Sequence, residues 1–229
     1  MPRVSVIVPA LDEASLIGRT LGRINRDDNV EMIVVDGGSR DRTPEVARGL
    51  GATVVRSRRG RAPQMNRGAE KAAGEILLFL HADTLLPEGW IDRVREISAW
   101  PNTAGGAFEL RLDTTLRWSR LIERLANLRS RVLQMPYGDQ AIFISADLFR
   151  RMGGYKDLPI MEDFEFVRRL RRQGQVRIVP FPVTTSARRW KHLGMWRTTL
   201  VNQAIVLAYL LGLSPNLMKR LYRMKSGDS

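Results

Sequence analysis

The sequence predicts an α/β fold built on an open, mostly parallel twisted sheet with helices on both faces. Short runs of apolar, largely β-branched residues recur through the first third of the chain, and stretches of helical periodicity separate them. Continuous apolar strands are typical of a parallel sheet that is covered on both faces. Their alternation with helices favours right-handed crossover connections.

In this first third, strands are predicted at 4–8, 32–35, 53–55 and 76–80. Helices are predicted at 14–24, 44–50 and 64–73. The second helix begins with Thr43-Pro44-Glu45, which supplies a capping hydroxyl, a first-turn proline and an acid near the positive end of the helix dipole.

The pattern changes after residue 100, where a strand is predicted at 105–110. A helix follows whose apolar residues share one face, with arginines largely elsewhere: Trp118, Leu121, Ile122, Leu125, Leu128 and Val132. Next we predict a strand at 137–144 and helices at 146–152 and 162–173, which end near glycines. The chain shows no internal repeat, low-complexity segment or interdomain linker, so a single domain is expected over residues 1–229.

The composition narrows the classes of function. The absence of cysteine excludes a disulfide framework, a zinc–thiolate site and a cysteine nucleophile, and it agrees with a cytoplasmic setting. The net charge of +13, with arginines in short groups such as Arg188-Arg189, is attractive to nucleic acid, anionic lipid or a phosphorylated substrate. We find no signal-peptide layout and no apolar stretch long enough to span a bilayer, and therefore expect a soluble or membrane-surface protein.

Polar loops follow three of the predicted strands, at Pro9–Glu13, Asp36–Asp41 and His81–Asp83. Ligands of open α/β sheets bind at the carboxyl ends of the strands. The three loops are therefore expected to converge on one crevice.

Four motifs in and after these loops carry a resemblance that covers roughly residues 3 to 195: Val6–Glu13, Val35–Thr43, His81-Ala82-Asp83 and Met161-Glu162-Asp163. Their order and spacing resemble family 2 glycosyltransferases, and more closely a subgroup of small bacterial members that is linked in part to arsenosugar biosynthesis. The resemblance implies a GT-A fold and inverting transfer of a sugar from a nucleotide-diphosphate donor. It also implies a nucleotide-sugar-binding half at about 1–110, an acceptor-side half at about 111–197 and a C-terminal helical tail at about 198–229.

On the donor side, the resemblance implies that Pro9, Glu13 and Asp36 contact the base and ribose of a UDP- or GDP-linked sugar. Many family members carry a second Asp where this chain has Gly37. The alternative for Asp36 is an Asx turn that feeds the next helix. Arg61 and Gln64 resemble the segment that lines the donor, where an arginine fork suits a diphosphate, although a solvated loop is an equal alternative for Arg61.

The metal motif of the family is usually Asp-x-Asp, and here it reads His81-Ala82-Asp83. The resemblance implies Asp83 as a direct ligand of Mn²⁺ or Mg²⁺, since both prefer oxygen ligands and complete their shells with diphosphate oxygens and water. His81 is either a metal or ribose contact or a packed side chain. His192 is a candidate late-chain metal ligand.

For the reaction, the resemblance implies Asp163 as the general base and Glu162 as its support or as an acceptor contact. The alternative is helix-dipole chemistry, because acids in a first turn stabilise a helix. Two groups of residues are implied to bind the acceptor: Gly138, Asp139 and Gln140, and the pair Arg189 and Trp190. The second group is similar to the end of a processive-synthase motif, but Ser186 replaces the glutamine of that motif.

The tail combines an apolar segment with basic residues at 198–224. We favour docking of this helix on the core or in a homodimer over binding to an anionic membrane surface at the inner face of the membrane. Two rival functions stay open. A nucleotidyltransferase would normally carry a glycine-rich phosphate loop, which Val8–Glu13 lacks. A nucleic-acid-binding module would leave Asp36, Asp83 and Asp163 without a role, so no nucleic-acid partner is expected.

Overall fold

The computed structural model describes residues 1–24, 28–115, 118–188, 195–214 and 218. Within them, eight strands form one mixed sheet in the order β3-β2-β1-β4-β7-β6-β8-β5. Helices cover both of its faces, and the α/β class predicted from the sequence is confirmed.

The first half of the sheet is parallel. It contains β1 (Val4–Ala10), β2 (Val30–Asp36), β3 (Thr53–Arg56) and β4 (Ile76–Phe79). The helices between these strands are α1 (Ala14–Leu21), α2 (Thr43–Gly49) and α3 (Arg61–Lys71). In β1, Val6 and Val8 enter one hydrophobic cluster and Ile7 enters the other, so the strand is apolar at successive positions because both of its faces are buried.

The second half of the sheet is mixed. Its strands are β5 (Thr84–Leu85), β6 (Thr103–Asp113), β7 (Ile142–Ser145) and β8 (Gln175–Ser186). β7 lies antiparallel between β4 and β6, while β6 and β8 are parallel. Four of the seven strand pairs are parallel, so the parallel character predicted from the sequence holds mainly for the first half.

Five more helices complete the described fold: α4 (Trp90–Ser98), α5 (Ser119–Leu133), α6 (Ala146–Arg151), α7 (Glu162–Leu170) and α8 (Met195–Leu210). The Tyr209 ring of α8 packs edge-on against Phe164 of α7 with 5.7 Å between centroids, so the start of the tail contacts the core. None of the described helices is long and apolar enough to cross a lipid bilayer.

The strand predicted at 137–144 is wrong in its first half. Gly138–Gln140 forms a 3-10 turn, and β7 begins only at Ile142. The turn is stabilised because the Gln140 side chain accepts a hydrogen bond from the Tyr137 backbone N–H at 3.1 Å. Ala141 then adopts a left-handed conformation with φ of 51°, which separates the turn from the strand.

Candidate active site

The loops that follow β1 and β2 are joined by hydrogen bonds. The Asp12 N–H donates to the Ser39 hydroxyl at 3.0 Å, and the Arg40 N–H donates to the Asp12 carboxylate at 2.7 Å. Asp12 has a positive φ of 54°, an uncommon conformation that these bonds hold. The two loops therefore form one continuous rim at the carboxyl edge of the sheet, as the sequence predicted.

Asp36 ends β2 beneath this rim and is buried. Its carboxylate accepts a 3.0 Å hydrogen bond from the Ser39 N–H, so the turn-building interaction considered as the alternative is present. The nucleotide contact of Asp36 stays a prediction. Pro9 lies at the same end of β1, where it pairs with Val35.

The Gln64 side chain joins the carboxyl ends of β1 and β2 by hydrogen bonds. Its side chain is buried, and its amide donates to the carbonyls of Ala10 at 2.9 Å and Val35 at 2.7 Å. A methyl group on Gly37 would lie 3.0 Å from the Gln64 amide nitrogen, tighter than ordinary packing. A side chain at position 37 would therefore press on Gln64 and on its hydrogen bonds to the two strand ends. A donor contact by Gln64 stays a prediction.

Arg188 bridges the first loop and the metal motif. Its Nη2 donates to both carboxylate oxygens of Glu13, at 2.8 and 3.1 Å, and lies 3.4 Å from Oδ2 of Asp83. Burial raises the pKa of Glu13, and the neighbouring Arg188 guanidinium opposes that shift. Two carboxylates and one cation are therefore in contact, and they come from the segments that follow β1, β4 and β8.

Backbone contacts hold the segment that carries Asp83. The Ser186 N–H donates to the Asp83 carbonyl at 3.1 Å, and the hydroxyls of Thr84 and Thr185 are hydrogen-bonded at 2.9 Å. On the other side, the Thr20 hydroxyl of α1 donates to the Ala82 carbonyl at 2.7 Å. The short β5–β8 ladder thus fixes the position of Asp83 against the strand that delivers Arg188.

Gly138 brings together His81 and Asp163. Its N–H donates a 2.7 Å hydrogen bond to Oδ2 of Asp163. A methyl group on Gly138 would lie 3.1 Å from Nε2 of His81 and 3.2 Å from Oδ2 of Asp163. Only glycine therefore fits without a shift of these side chains, and the metal motif and the Glu-Asp motif are neighbours in space.

Asp163 lies in the first turn of α7. Its Oδ1 accepts a 2.7 Å hydrogen bond from the N–H of Phe164. Met161, just before the helix, has a positive φ of 68°, which is rare for a side chain of this size. This backbone turn directs the start of α7 toward the Gly138 turn, so Asp163 lies in the first turn of a helix and beside Gly138 at once. Its catalytic role stays a prediction.

Hydrogen bonds of the buried Gln140 side chain stabilise the turn at Gly138–Gln140. Gln140 is fully buried, with its carbonyl accepting from the Ser130 hydroxyl at 2.8 Å and its amide donating to the Phe108 carbonyl at 2.8 Å. Its side chain therefore has no exposed surface for the acceptor contact predicted from the sequence. Burial raises the pKa of Asp139 to about 6, with Arg129 opposing the shift and Asp163 adding to it.

Glu162 is buried at the start of α7, and its Oε1 lies 3.8 Å from Nη1 of Arg61. Arg61 begins α3 and is more than half exposed. This contact links the start of α3 with the start of α7, the helix that carries Asp163.

Residues 5–157 match the family described as glycosyl transferase family 2. The chain belongs to glycosyltransferase family 2. The match covers more than half of the sequence, and it confirms both the family and the class of enzyme predicted from the motifs. The nucleotidyltransferase alternative is thereby set aside.

This glycosyltransferase is similar to curated proteins and to solved structures. It is 29% identical over 180 residues to a PGL/p-HBAD biosynthesis glycosyltransferase of Mycobacterium bovis, covering 72% of this chain and 68% of that protein. Among solved structures, a mannosyltransferase from Pyrobaculum calidifontis in complex with GDP-Man and Mn²⁺ has 27% identity and a TM-score of 0.68. That likeness covers 94% of this chain and 66% of the mannosyltransferase, so this chain spans about two thirds of the length of either protein.

A third relative supports the fold alone. Glucosyl-3-phosphoglycerate synthase from Mycobacterium tuberculosis, in complex with Mn²⁺, UDP and glucosyl-3-phosphoglycerate, has 20% identity and a TM-score of 0.62, covering 93% of this chain and 81% of that one. The GT-A fold predicted for this glycosyltransferase is confirmed.

Three of the predicted site residues, Arg189, Trp190 and His192, lie outside the described residues. Among the residues that are described, no three His, Asp or Glu side chains already form a metal-binding group. Arg188 is the site residue that the sequence reasoning missed; the only signal for it was the short basic run that it shares with Arg189.

Proposed function

We propose that this glycosyltransferase moves a sugar from a nucleoside-diphosphate donor to an acceptor hydroxyl with inversion, using Asp163 as the general base. The observation that carries the proposal is the contact through Gly138, which puts Asp163 beside His81 and therefore next to the segment that ends in Asp83. In an inverting transfer the acceptor oxygen attacks the anomeric carbon from the side opposite the diphosphate, so the base and the diphosphate site must face each other across that one carbon.

The donor is proposed to lie along the rim formed by the first two loops, with Pro9, Glu13 and Asp36 at its nucleoside end. Arg188 and Arg61 are proposed to contact the diphosphate, since arginine can donate two parallel hydrogen bonds to phosphate oxygens. The GDP-Man and Mn²⁺ of the Pyrobaculum mannosyltransferase complex support a nucleotide-sugar donor.

The residues present fit a divalent cation. The carboxylates of Glu13 and Asp83 both contact the Arg188 guanidinium, whose single positive charge offsets only one of their two negative charges. Mn²⁺ or Mg²⁺ needs few protein ligands beside phosphate oxygens and water, so Asp83 suffices as the carboxylate ligand, with His81 beside it. When bound, the metal would neutralise the charge that develops on the departing diphosphate.

In the proposed reaction, Asp163 takes the proton of the acceptor hydroxyl while the hydroxyl oxygen attacks the anomeric carbon. The bond from that carbon to the diphosphate breaks, and the diphosphate leaves with the electron pair. Each oxygen of Asp163 accepts one backbone N–H, from Gly138 or from Phe164, and keeps a second lone pair for the hydroxyl. Gln140 is proposed to support the turn, so that Gly138 and Asp139 present the acceptor side.

Thermal-shift measurements with UDP, GDP and other nucleoside diphosphates test this proposal most simply. With Mn²⁺ present, one of these nucleotides should raise the melting temperature, and chelation of the metal should remove the effect. In the Asp83→Asn variant the nucleotide should give the same small shift with and without Mn²⁺. Stabilisation by no nucleotide, or a full Mn²⁺-dependent shift in Asp83→Asn, would contradict the proposed donor site.

A further inference from the structure

Helix α5 is inverted relative to an ordinary surface helix. The side chains that it buries fully are polar, namely Ser119, Glu123 and Ser130. Ile122 and Ala126 are partly buried against Leu110, Leu112 and Ala187, but the larger apolar residues of the helix are not on this face. An ordinary amphipathic helix on a globular protein turns its apolar stripe toward the core. In α5 the apolar stripe faces away from the protein.

The polar face is turned inward because its side chains form hydrogen bonds with backbone N–H and C=O groups at the edge of β6. Glu123 accepts the N–H of Leu112 at 3.0 Å, while Asn127 accepts the N–H of Leu110 at 2.7 Å and donates to its carbonyl at 3.1 Å. These bonds replace those that a neighbouring strand would make along this part of β6. The orientation of α5 is therefore fixed by hydrogen bonds, and the apolar stripe has to point outward.

The outward stripe runs the full length of the helix. Its members are between 39% and 68% exposed and follow one another at intervals of three and four residues: Trp118, Leu121, Leu125, Leu128 and Val132. A continuous exposed stripe of large apolar side chains marks a surface that binds something apolar.

The charges beside the stripe are all positive. Arg120, Arg124 and Arg131 are exposed on α5. Arg120 and Arg131 form ion pairs with Glu123 and Glu109, but the side chains of these two acids are only 9% and 14% exposed, so the charged groups that reach the surface here are guanidinium groups. If two copies paired antiparallel along the stripe, the Arg124 residues of both helices would lie on the same side of the seam, so like charges would oppose each other. The charge pattern therefore disfavours a second copy and favours an anionic partner.

We propose that the outward face of α5 docks the protein on an anionic lipid surface. The apolar stripe would enter the interface, and the flanking arginines would contact the headgroups, as in helices that lie in the plane of a membrane. Trp118 at the end of the stripe suits the headgroup level, where tryptophan is favoured. This proposal assigns membrane contact to α5 and not to the C-terminal tail, and it does not depend on the proposed reaction.

The geometry also connects this face to the acceptor side. The Ser130 hydroxyl of α5 donates to Gln140 at 2.8 Å, and Gln140 holds the turn that contains Gly138 and Asp139. Docking through α5 would thus bring the acceptor side of the site close to the lipid surface, a consequence that rests on the proposed function.

Vesicle flotation of the full chain tests the docking. The wild-type protein should float with vesicles of phosphatidylcholine and phosphatidylglycerol at low salt, less so at high salt, and not with phosphatidylcholine alone. The double variant Leu125→Glu/Leu128→Glu should lower the bound fraction at least about tenfold, because two large apolar contacts are lost. The matched control is Leu207→Glu/Leu211→Glu, whose side chains are 58% and 71% exposed at the end of α8, and it should float like the wild type.

A second variant tests the same surface independently if the double variant does not fold. Arg124→Glu leaves the apolar stripe intact and should weaken binding to the anionic vesicles at least about fivefold, since each basic residue near such a surface contributes to the attraction. Circular dichroism melting would confirm that each variant is folded. Wild-type protein that fails to float, or variants in α5 that float unchanged while the α8 control is lost, would overturn the proposal. So would a dimer in sedimentation equilibrium that Leu125→Glu/Leu128→Glu converts to monomer in the absence of vesicle binding.

Discussion

The backbone N–H of Gly138 donates a 2.7 Å hydrogen bond to Oδ2 of Asp163. The same glycine leaves room for His81, whose Nε2 would be 3.1 Å from a methyl group at this position. His81 and Asp163 are far apart in the sequence, and both lie against Gly138. The two hydrogen bonds that position the proposed base come from the backbone N–H groups of Gly138 and Phe164.

Gly138→Ala should disturb the site with little effect on the global fold. The added methyl group must displace His81 or Asp163, so the rate of sugar transfer or donor hydrolysis should fall about ten- to a hundredfold, as expected for a misplaced reacting group. Binding of the nucleotide, measured by calorimetry, should change far less. Gly49→Ala is the matched control, since a methyl group there meets nothing within 4 Å on an exposed helix position. Equal activity of the two variants would show that Gly138 does not position the base.

Arg188→Gln should change the affinities for metal and nucleotide in opposite directions. Without the guanidinium, Glu13 and Asp83 are left unneutralised, so Mn²⁺ alone should bind a few-fold more tightly. The nucleoside diphosphate should bind roughly tenfold more weakly, because a charge-assisted contact is lost. Isothermal titration calorimetry measures both. Arg19→Gln, which breaks an exposed ion pair with Asp113, is the control and should alter neither affinity. Weaker Mn²⁺ binding in Arg188→Gln would argue against Asp83 as the metal ligand.

The sequence predicted the strands whose apolar runs favour a single structure, a strand that is buried on both faces. β1 and β4 are continuous apolar runs and were predicted within two residues. β8 was missed because Pro180 and Pro182 interrupt it; the structure accommodates them where the register of β6 and β8 shifts after Phe108. A proline that lies at such an irregularity does not prevent a strand.

The site was predicted where it follows strand ends and was incomplete where it depends on tertiary contacts. His81 and Asp163 could be proposed from their motifs, but their approach through Gly138 depends on a turn that the sequence pattern placed in a strand. The periodicity of α5 showed two faces without showing which is buried, because the hydrogen bonds that decide this come from the edge of β6.

Asp139→Asn should make the stability of the protein less dependent on pH. Burial raises the pKa of Asp139 to about 6, above its ordinary value of 3.8, so the folded protein holds this proton more tightly than the unfolded chain does. The contribution of Asp139 to the free energy of unfolding is therefore greatest below about pH 4 and is lost as the pH rises to about 6.

At pH 7.5 the buried charge destabilises the wild type, so Asp139→Asn should be more stable by about 1 to 3 kcal/mol, and the difference should shrink toward pH 4. Urea denaturation of both proteins across this range gives the comparison. Asp147→Asn is a suitable control because Asp147 is exposed and no strong burial acts on it. An Asp139→Asn protein that is less stable than the wild type at pH 7.5 would show that the Asp139 carboxylate is stabilising in its ionised form.

The central claim is that Asp163 removes the proton from the attacking hydroxyl, and Asp163→Asn tests it most directly. The measurement is the release of nucleoside diphosphate from the sugar donor that stabilises the protein best, with Mn²⁺ present and water as the simplest acceptor, alongside the dissociation constant of that donor. Asparagine keeps the shape, and its carbonyl oxygen can still accept the Gly138 N–H, although the bond from the Phe164 N–H is lost; it cannot take up the proton. Release should therefore fall about a hundredfold or more while the dissociation constant stays within about twofold. Release at the wild-type rate with normal donor binding would contradict the role of Asp163 as the base.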